Sequence, residues 1–338
     1  MNLHESVCQF CSEIGKDRLL VQGAGGNVSW KENDALWIKA SGTWLADAGG
    51  KDIFVPVNLS HLSAALKNGD YAVVPQTNAR TPLKPSIETL LHALMPQRIV
   101  VHVHAVEVLA HLVRKDFDLA NYPALDPSLN ARTVEYCKPG AELAEAVAKQ
   151  LDGTTSTRVV FLKNHGVIIG GDNIAEISEV LNYLTRFFTA PETRNPSTPP
   201  NISLVLASGI EFFPIVPEQL HEVATLPSLV DRLNDNWALY PDHVVFLGPH
   251  PWLFATLEEA KASLEEEAEL PDVIFVRGLG TFSRGTMNKA KVAQLLCYYD
   301  VMKKLNDGAQ LSTLTNTQIS ELVDWDAEKY RKCANDVK

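Results

Sequence analysis

Arg98-Ile99-Val100-Val101-His102-Val103-His104 is the stretch on which the fold turns. It is too apolar for a loop, and its β-branched residues suit a strand. Strand periodicity puts His102 and His104 on one face and Val101 and Val103 on the other. The flanks supply its partners. Upstream, Ile87 to Leu94 has Leu90, Leu91 and Leu94 on one helical face, with Ser86 placed as an N-cap and Pro96 as the stop. Downstream, Ala105 to Arg114 reads as a helix and Arg158 to Lys163 as a strand closed by Asn164-His165-Gly166. Ile174 to Phe188 then reads as a helix, with Asn173 and Glu176 spaced as a capping box. Nearer the start come an amphipathic helix, the glycine-rich turn Gln22 to Ser29, and short strands at Ala35 to Ala40 and Ile53 to Val57. Strands alternating with helices predict a layered α/β domain.

Pro191 to Asn201, rich in proline, serine and threonine, is the expected linker. It divides the chain into 1–190, a metal-binding α/β domain, and 202–338, a second α/β half in which Gln318 to Cys333 is expected to form a last helix. Of the 338 residues, 46% are hydrophobic and 21% charged, so disorder is not the expectation. A net charge of −11 argues against nucleic acid or a membrane surface as the main partner. The most apolar run, Ile99 to Val113, is too short to span a bilayer. With no leader-like start and five scattered cysteines, a cytoplasmic protein is expected. Cys8 and Cys11 form a C-x-x-C without a second pair. They read as small apolar residues on a helix face rather than as metal ligands or a redox pair.

Val159 to Val167 and Val273 to Thr281 lie 114 positions apart and correspond: Phe161 with Phe275, Lys163 with Arg277, Gly166 with Gly280. The position of His165 is taken by Leu279. Either the second half is a degenerate copy that has become scaffold, or any two strand–turn–helix units look this much alike. A weaker echo sets Val100 to His104 against Val244 to Gly248.

Imidazoles at i and i+2 of a strand can converge on one ion, and His165 at a strand end can complete the set. Each histidine taken singly also suits ordinary packing, and a turn histidine can simply bond backbone. His92 and His111 fall in helical segments and are read as packing residues. Glu88, in a first helical turn, is either a partner of the helix dipole or, if it faces the ion, an acid/base group.

These residues resemble the class II aldolase/adducin family. The matching pieces stand in its order: Gly25-Gly26-Asn27-Val28-Ser29, Ser41-Gly42, Pro85-Ser86-Ile87-Glu88, His102-Val103-His104-Ala105, Pro139-Gly140 and Asn164-His165-Gly166. With Pro241-Asp242-His243 and Gly278-Leu279-Gly280, the pattern looks most like the aldolase portion of rhamnulose-phosphate aldolase–dehydrogenase fusions. No G-x-G-x-x-G follows a strand, so a dehydrogenase portion is not expected.

The resemblance implies a three-layer α/β/α domain with one divalent ion, zinc first among candidates, on His102, His104 and His165. It implies Glu88 as proton carrier, and Asn27, Ser41, Gly42 and Ser86 around the anionic end of a small sugar-like substrate. It further implies a homo-oligomer. The expected activity is a lyase that makes or breaks a carbon–carbon bond in a ketose phosphate or similar sugar derivative. Epimerisation, decarboxylation or dehydration at the same ion, and an assembly role without catalysis as in adducin, are the alternatives. Glu88 favours the aldolase side, because related epimerases usually carry aspartate there. Ile87 departs from the Ser-Ser pair of the phosphate pocket and removes one hydroxyl.

Overall fold

The buried strand that carries His102 sits at the middle of a seven-stranded sheet. The computed structural model describes residues 2–77, 80–151, 156–190, 198–306 and 308–336. The sheet comprises β1 (Asn27–Glu32), β2 (Ala35–Lys39), β3 (Phe54–Asn58), β4 (Ile99–Val103), β5 (Arg132–Val134), β6 (Val159–Leu162) and β7 (Gly166–Gly171). Their order is β3-β2-β1-β4-β7-β6-β5, antiparallel throughout except for the parallel pair β5–β6. Every residue of β4 is buried, as a central strand covered on both faces requires.

Helices cover those two faces. Val101 and Val103 enter the apolar cluster built with α1 (Leu3–Ile14), α4 (Val106–Leu112) and α6 (Ile174–Phe187). Val100, on the His102 face, packs with α3 (Thr89–Leu94) and α5 (Ala141–Leu151), and α2 (Leu59–Lys67) covers β2 and β3 beside them. The fold is thus the expected three-layer α/β/α arrangement, with the strand alternation read correctly from sequence. Cys8 and Cys11 are free thiols on α1, and Cys11 is part of the core.

The second half contributes a smaller sheet: β8 (Leu204–Val205), β9 (Glu211–Pro214), β10 (Leu253–Phe254), β11 (Val273–Val276) and β12 (Gly280–Ser283), in the order β10-β11-β12-β9-β8. Its helices are α7 (Glu222–Thr225), α8 (Pro227–Asp235), α9 (Pro241–Leu247), α10 (Leu257–Leu264), α11 (Lys289–Lys303), α12 (Asn316–Val323) and α13 (Asp326–Asp336). The expected linker lies outside the described residues over 191–197, and 198–201 carry no regular structure. The boundary separates two sheets but not two cores. Leu220, Leu233, Tyr240, Leu295 and Tyr298 belong to the same apolar cluster as α1, α4 and α6.

Three local expectations need correction. The helix expected from Ile87 begins at Thr89, because the Ser86 hydroxyl accepts from the Glu88 amide in a tight turn and Glu88 takes the capping position. The weaker echo fails: Val244 to Leu247 is helical in α9, whereas Val100 to Val103 is extended. Pro241 sits in the first turn of α9, where its missing N–H and fixed φ suit a helix start. The expected final helix is two helices, α12 and α13, broken at Asp324-Trp325.

The stronger correspondence repeats in three dimensions. Each copy is an antiparallel hairpin with a three-residue turn, followed by a long helix. Asn164 (φ 54°) and Gly278 (φ 68°) hold the same left-handed position in the two turns.

Candidate metal centre

His102 is fixed by β4, directly opposite Asn27 on β1 and Ile168 on β7. His104 lies just past the strand end, where the chain turns into α4. His165 is carried by the β6–β7 turn and brought against β4 by Gly166. A Cβ at Gly166 would stand 2.6 Å from the Val103 carbonyl oxygen and 3.0 Å from the rings of His102 and His104, so only glycine permits this approach. The turn is pinned from the second half, since the Asn164 amide donates to the carbonyls of Leu239 and Ser312, each at 2.8 Å.

The three imidazoles are buried and form one group, their potential ligand atoms all within 4.8 Å of one another. His102 Nε2 and His104 Nε2 are 3.1 Å apart. Two nitrogens about 2.0–2.1 Å from one tetrahedral ion would stand about 3.4 Å apart, so the spacing suits a shared ion. Two of the outer nitrogens have partners, whereas His165 Nδ1 has none among the described residues. His102 Nδ1 donates to the Val167 carbonyl at 3.2 Å, which leaves the Nε2 lone pair facing inward. His104 Nδ1 lies 3.6 Å from an Asp242 carboxylate oxygen. Burial drives His104 and His165 down to about 3, against the opposing pull of Asp242 and Glu88, and so keeps both rings in the uncharged form that ligation needs.

Glu88 closes the inner side of the group. One carboxylate oxygen is 3.4 Å from His165 Nε2 and 3.7 Å from His102 Nε2, and has no hydrogen-bond partner among the described residues. The other accepts from the Asn27 amide. Burial alone would raise this carboxyl; His102, His165 and Arg331 more than offset it and hold it below its ordinary value. The Glu88 side chain makes no cap bond to α3 and lies against His102 and His165 instead.

Asn27, Ser41, Gly42, Ser86, Glu88, His104 and His165 all line one cavity, and His102 stands directly behind it in contact with Glu88. His92 and His111 stay outside: His92 Nδ1 pairs with the Ser29 hydroxyl and His111 Nδ1 with the Tyr122 hydroxyl, both at 2.8 Å.

Four charged residues of the cavity escape the sequence reading: Lys39, Asp242, Glu328 and Arg331. Lys39 ends β2 and donates to the carbonyls of Ala24 (3.0 Å) and Thr43 (2.8 Å). Burial, followed by the charge of Arg331, lowers its ammonium to about 7. Arg331 donates to both oxygens of Asp242, at 2.6 and 2.7 Å. Burial would raise the Asp242 carboxyl, but this pair and His104 hold it well below the usual range. Burial raises Glu328, whose only strong counterweight is the same guanidinium. The only signals available were a lysine in an otherwise apolar strand and the Pro241-Asp242-His243 motif. Glu328 and Arg331 look like any charged pair on a surface helix. Three of the four come from the second half, which is therefore not mere scaffold.

Fold and site together define an α/β protein in which three clustered histidines could hold a metal ion, in a polar pocket lined by the carboxylates of Glu88, Asp242 and Glu328. The chain belongs to the class II aldolase and adducin N-terminal domain family, whose pattern matches residues 5–190. Among curated relatives it is 28% identical over 177 residues to the uncharacterized oxidoreductase YuxG of Bacillus subtilis, which is 47% of this chain and only 25% of that protein. It is 26% identical over 167 residues to the L-fuculose phosphate aldolase of Methanocaldococcus jannaschii, covering 47% of this chain and 80% of that one. Among solved structures, the N-terminal class II aldolase domain of a conserved protein from Thermoplasma acidophilum aligns at 25% identity and a TM-score of 0.44, over 54% of this chain and 90% of that one. Among the described residues no helix is long and apolar enough to cross a membrane.

Proposed function

We propose that this chain is a metal-dependent lyase of the class II aldolase type, acting on a small anionic sugar derivative. One observation carries the reading: three buried imidazoles converge beside a carboxylate that keeps one oxygen unpartnered. An unpartnered buried acceptor beside three imidazoles is placed to meet a substrate proton. His102, His104 and His165 would hold the ion, with zinc suited to three nitrogen ligands and one open position. When bound, the ion supplies electrostatic stabilisation of the negative charge that develops on the substrate oxygens as the carbon–carbon bond breaks.

The chain's own residues supply the rest. Glu88, held ionised, takes the proton from the hydroxyl beside the breaking bond. The electron pair passes to the other fragment as an enediolate, and Glu88 Oε1 returns the proton to its carbon. Asn27 fixes the opposite carboxylate oxygen and so aims the free one. Ser41, Gly42 and Ser86 line the side where hydroxyl and amide donors can meet the anionic end of the substrate. The burial of the pocket excludes water from a reactive carbanion. The named activity of the Methanocaldococcus relative supports the same reaction class.

The test is a pair of variants. His102→Ala should lose bound metal by elemental analysis, and unchanged metal content would sink the assignment. Glu88→Gln should keep the metal but slow ketose-phosphate cleavage by about 100-fold or more, read by product analysis. Products of epimerisation or decarboxylation from the same panel would redirect the proposal to those reactions.

A further inference from the structure

Glu328 and Arg331 of α13 wall one side of the pocket, and α13 is fastened by polar contacts. Its buried residues are Glu328 and Asn335, and none of its apolar side chains is buried. Trp44 Nε1 donates to the Asn335 side-chain Oδ1 at 2.6 Å, Arg331 clasps Asp242, and Lys84 lies over the Tyr330 ring, 4.4 Å from its centre. The helix presses close: a Cβ on Gly42 would stand 2.8 Å from that of Ala334, and Gly42 already holds φ 77°. Burial of apolar surface is the main favourable term in docking one element on another, and α13 has little of it to lose. The cavity behind it is about 30 Å³, room for one or two waters but not for a sugar derivative. A sugar derivative needs a wall of the cavity to give way, and α13, which carries Arg331, is a wall held without buried apolar side chains.

Charge says what enters. Lys39 and Arg331 share the cavity lining with Glu88, Asp242 and Glu328, and Arg331 is paired directly with Asp242 and Glu328. Counted with all five of these side chains ionised, a divalent ion on the three histidines would leave one net positive charge, which an anion would balance. Lys39 is occupied by two carbonyls. Arg331 is a planar fork of donors on α13 and lines the same cavity as Ser41, Ser86 and Ile87. We propose that Arg331 is the specificity-determining residue for the anionic group of the substrate: it exchanges bonds with Asp242 for bonds to a phosphate or carboxylate and closes α13 over it. The inference rests on the substrate pocket proposed above, though not on the reaction.

The experiment uses the full-length, zinc-loaded protein and calorimetric titration with three matched probes: dihydroxyacetone phosphate, hydroxypyruvate and dihydroxyacetone. The wild type should prefer a charged probe over the neutral one, and which charged probe wins identifies phosphate or carboxylate. Arg331→Met should weaken that probe by about 10- to 100-fold and leave dihydroxyacetone within about twofold. Arg331→Lys should fall between, because an ammonium keeps the charge without the fork. Arg331→Met leaves Asp242 buried and unpaired, so Arg331→Met with Asp242→Asn serves as a second variant that removes both charges. Circular dichroism and zinc content report whether each variant is intact.

Equal loss for charged and neutral probes, undiminished binding of the charged probe in the double variant, or a wild type without charge preference would each overturn the proposal. Binding is read without turnover, so the two readings fail separately. Anion selectivity lost in Arg331→Met without any carbon–carbon cleavage by the wild type would refute only the lyase. Cleavage by a wild type whose Arg331 variants keep their anion selectivity would refute only this inference.

Discussion

The turn Lys163-Asn164-His165 and the turn Arg277-Gly278-Leu279 join matching pairs of strands, and both put a left-handed residue in the middle. One ends in an imidazole that faces Glu88, the other in a leucine packed on the apolar cluster of the smaller sheet. The hairpin therefore does not need the histidine to form, and the reason for His165 lies in what it faces. The middle residues differ in a related way. Gly278 reaches φ 68° without a side chain, whereas Asn164 spends its amide on two carbonyls of the second half. The first turn is tied down by a side chain where the site needs accuracy, and the second by backbone, with the Gly278 N–H donating to the Ala224 carbonyl at 2.8 Å.

His165→Leu makes the first turn like the second, and it should have the largest effect. The fold should persist by circular dichroism, while zinc affinity in a competition titration falls by at least about 100-fold and cleavage with it. Retained zinc would break the contrast between the turns.

Acid should separate them next. His104 and His165 are held at about 3 in the fold but titrate near 6.5 when unfolded, so the unfolded chain binds more protons. Their contribution to stability is present above pH 6.5 and lost as pH falls from there toward 3, by up to about 1.4 kcal/mol per pH unit for each ring. The lowered Glu88 carboxyl extends the loss below its ordinary range. Thermal unfolding of the metal-free protein across this window should show the slope, and His165→Leu should flatten it. An unchanged slope would mean that His165 does not carry the effect.

Smaller effects come from the middle residues. Asn164→Ala gives up two buried amide bonds and keeps a left-handed backbone, and should cost about 2–4 kcal/mol in denaturant unfolding with reduced zinc affinity. Gly278→Ala meets only the backbone penalty, since no atom lies within 4 Å of the added Cβ. It should cost about 1 kcal/mol and leave zinc content unchanged. Equal costs for the two would show that the clamp on Asn164 contributes nothing.

What the sequence determined by itself was local and periodic. The alternation in Ile99 to His104 set which residues of β4 face each layer, because a strand covered on both sides cannot change register without burying the wrong face. Glycine, proline and asparagine punctuation located most turns, and the motif order from Gly25 to Gly166 announced the family and seven residues of the cavity. Only the tertiary structure decided the rest. That His102, His104 and His165 share a centre depends on β7 pairing with β4 and on Gly166 allowing the approach. That Asp242, Glu328 and Arg331 belong to the same site depends on α9 and α13 folding back from beyond position 240. A buried ion pair leaves no periodic trace in sequence, since a charged residue reads as exposed until its partner is known. For the same reason Lys39 goes unremarked within the expected strand Ala35 to Ala40, although the fold buries it with its ammonium on two carbonyls.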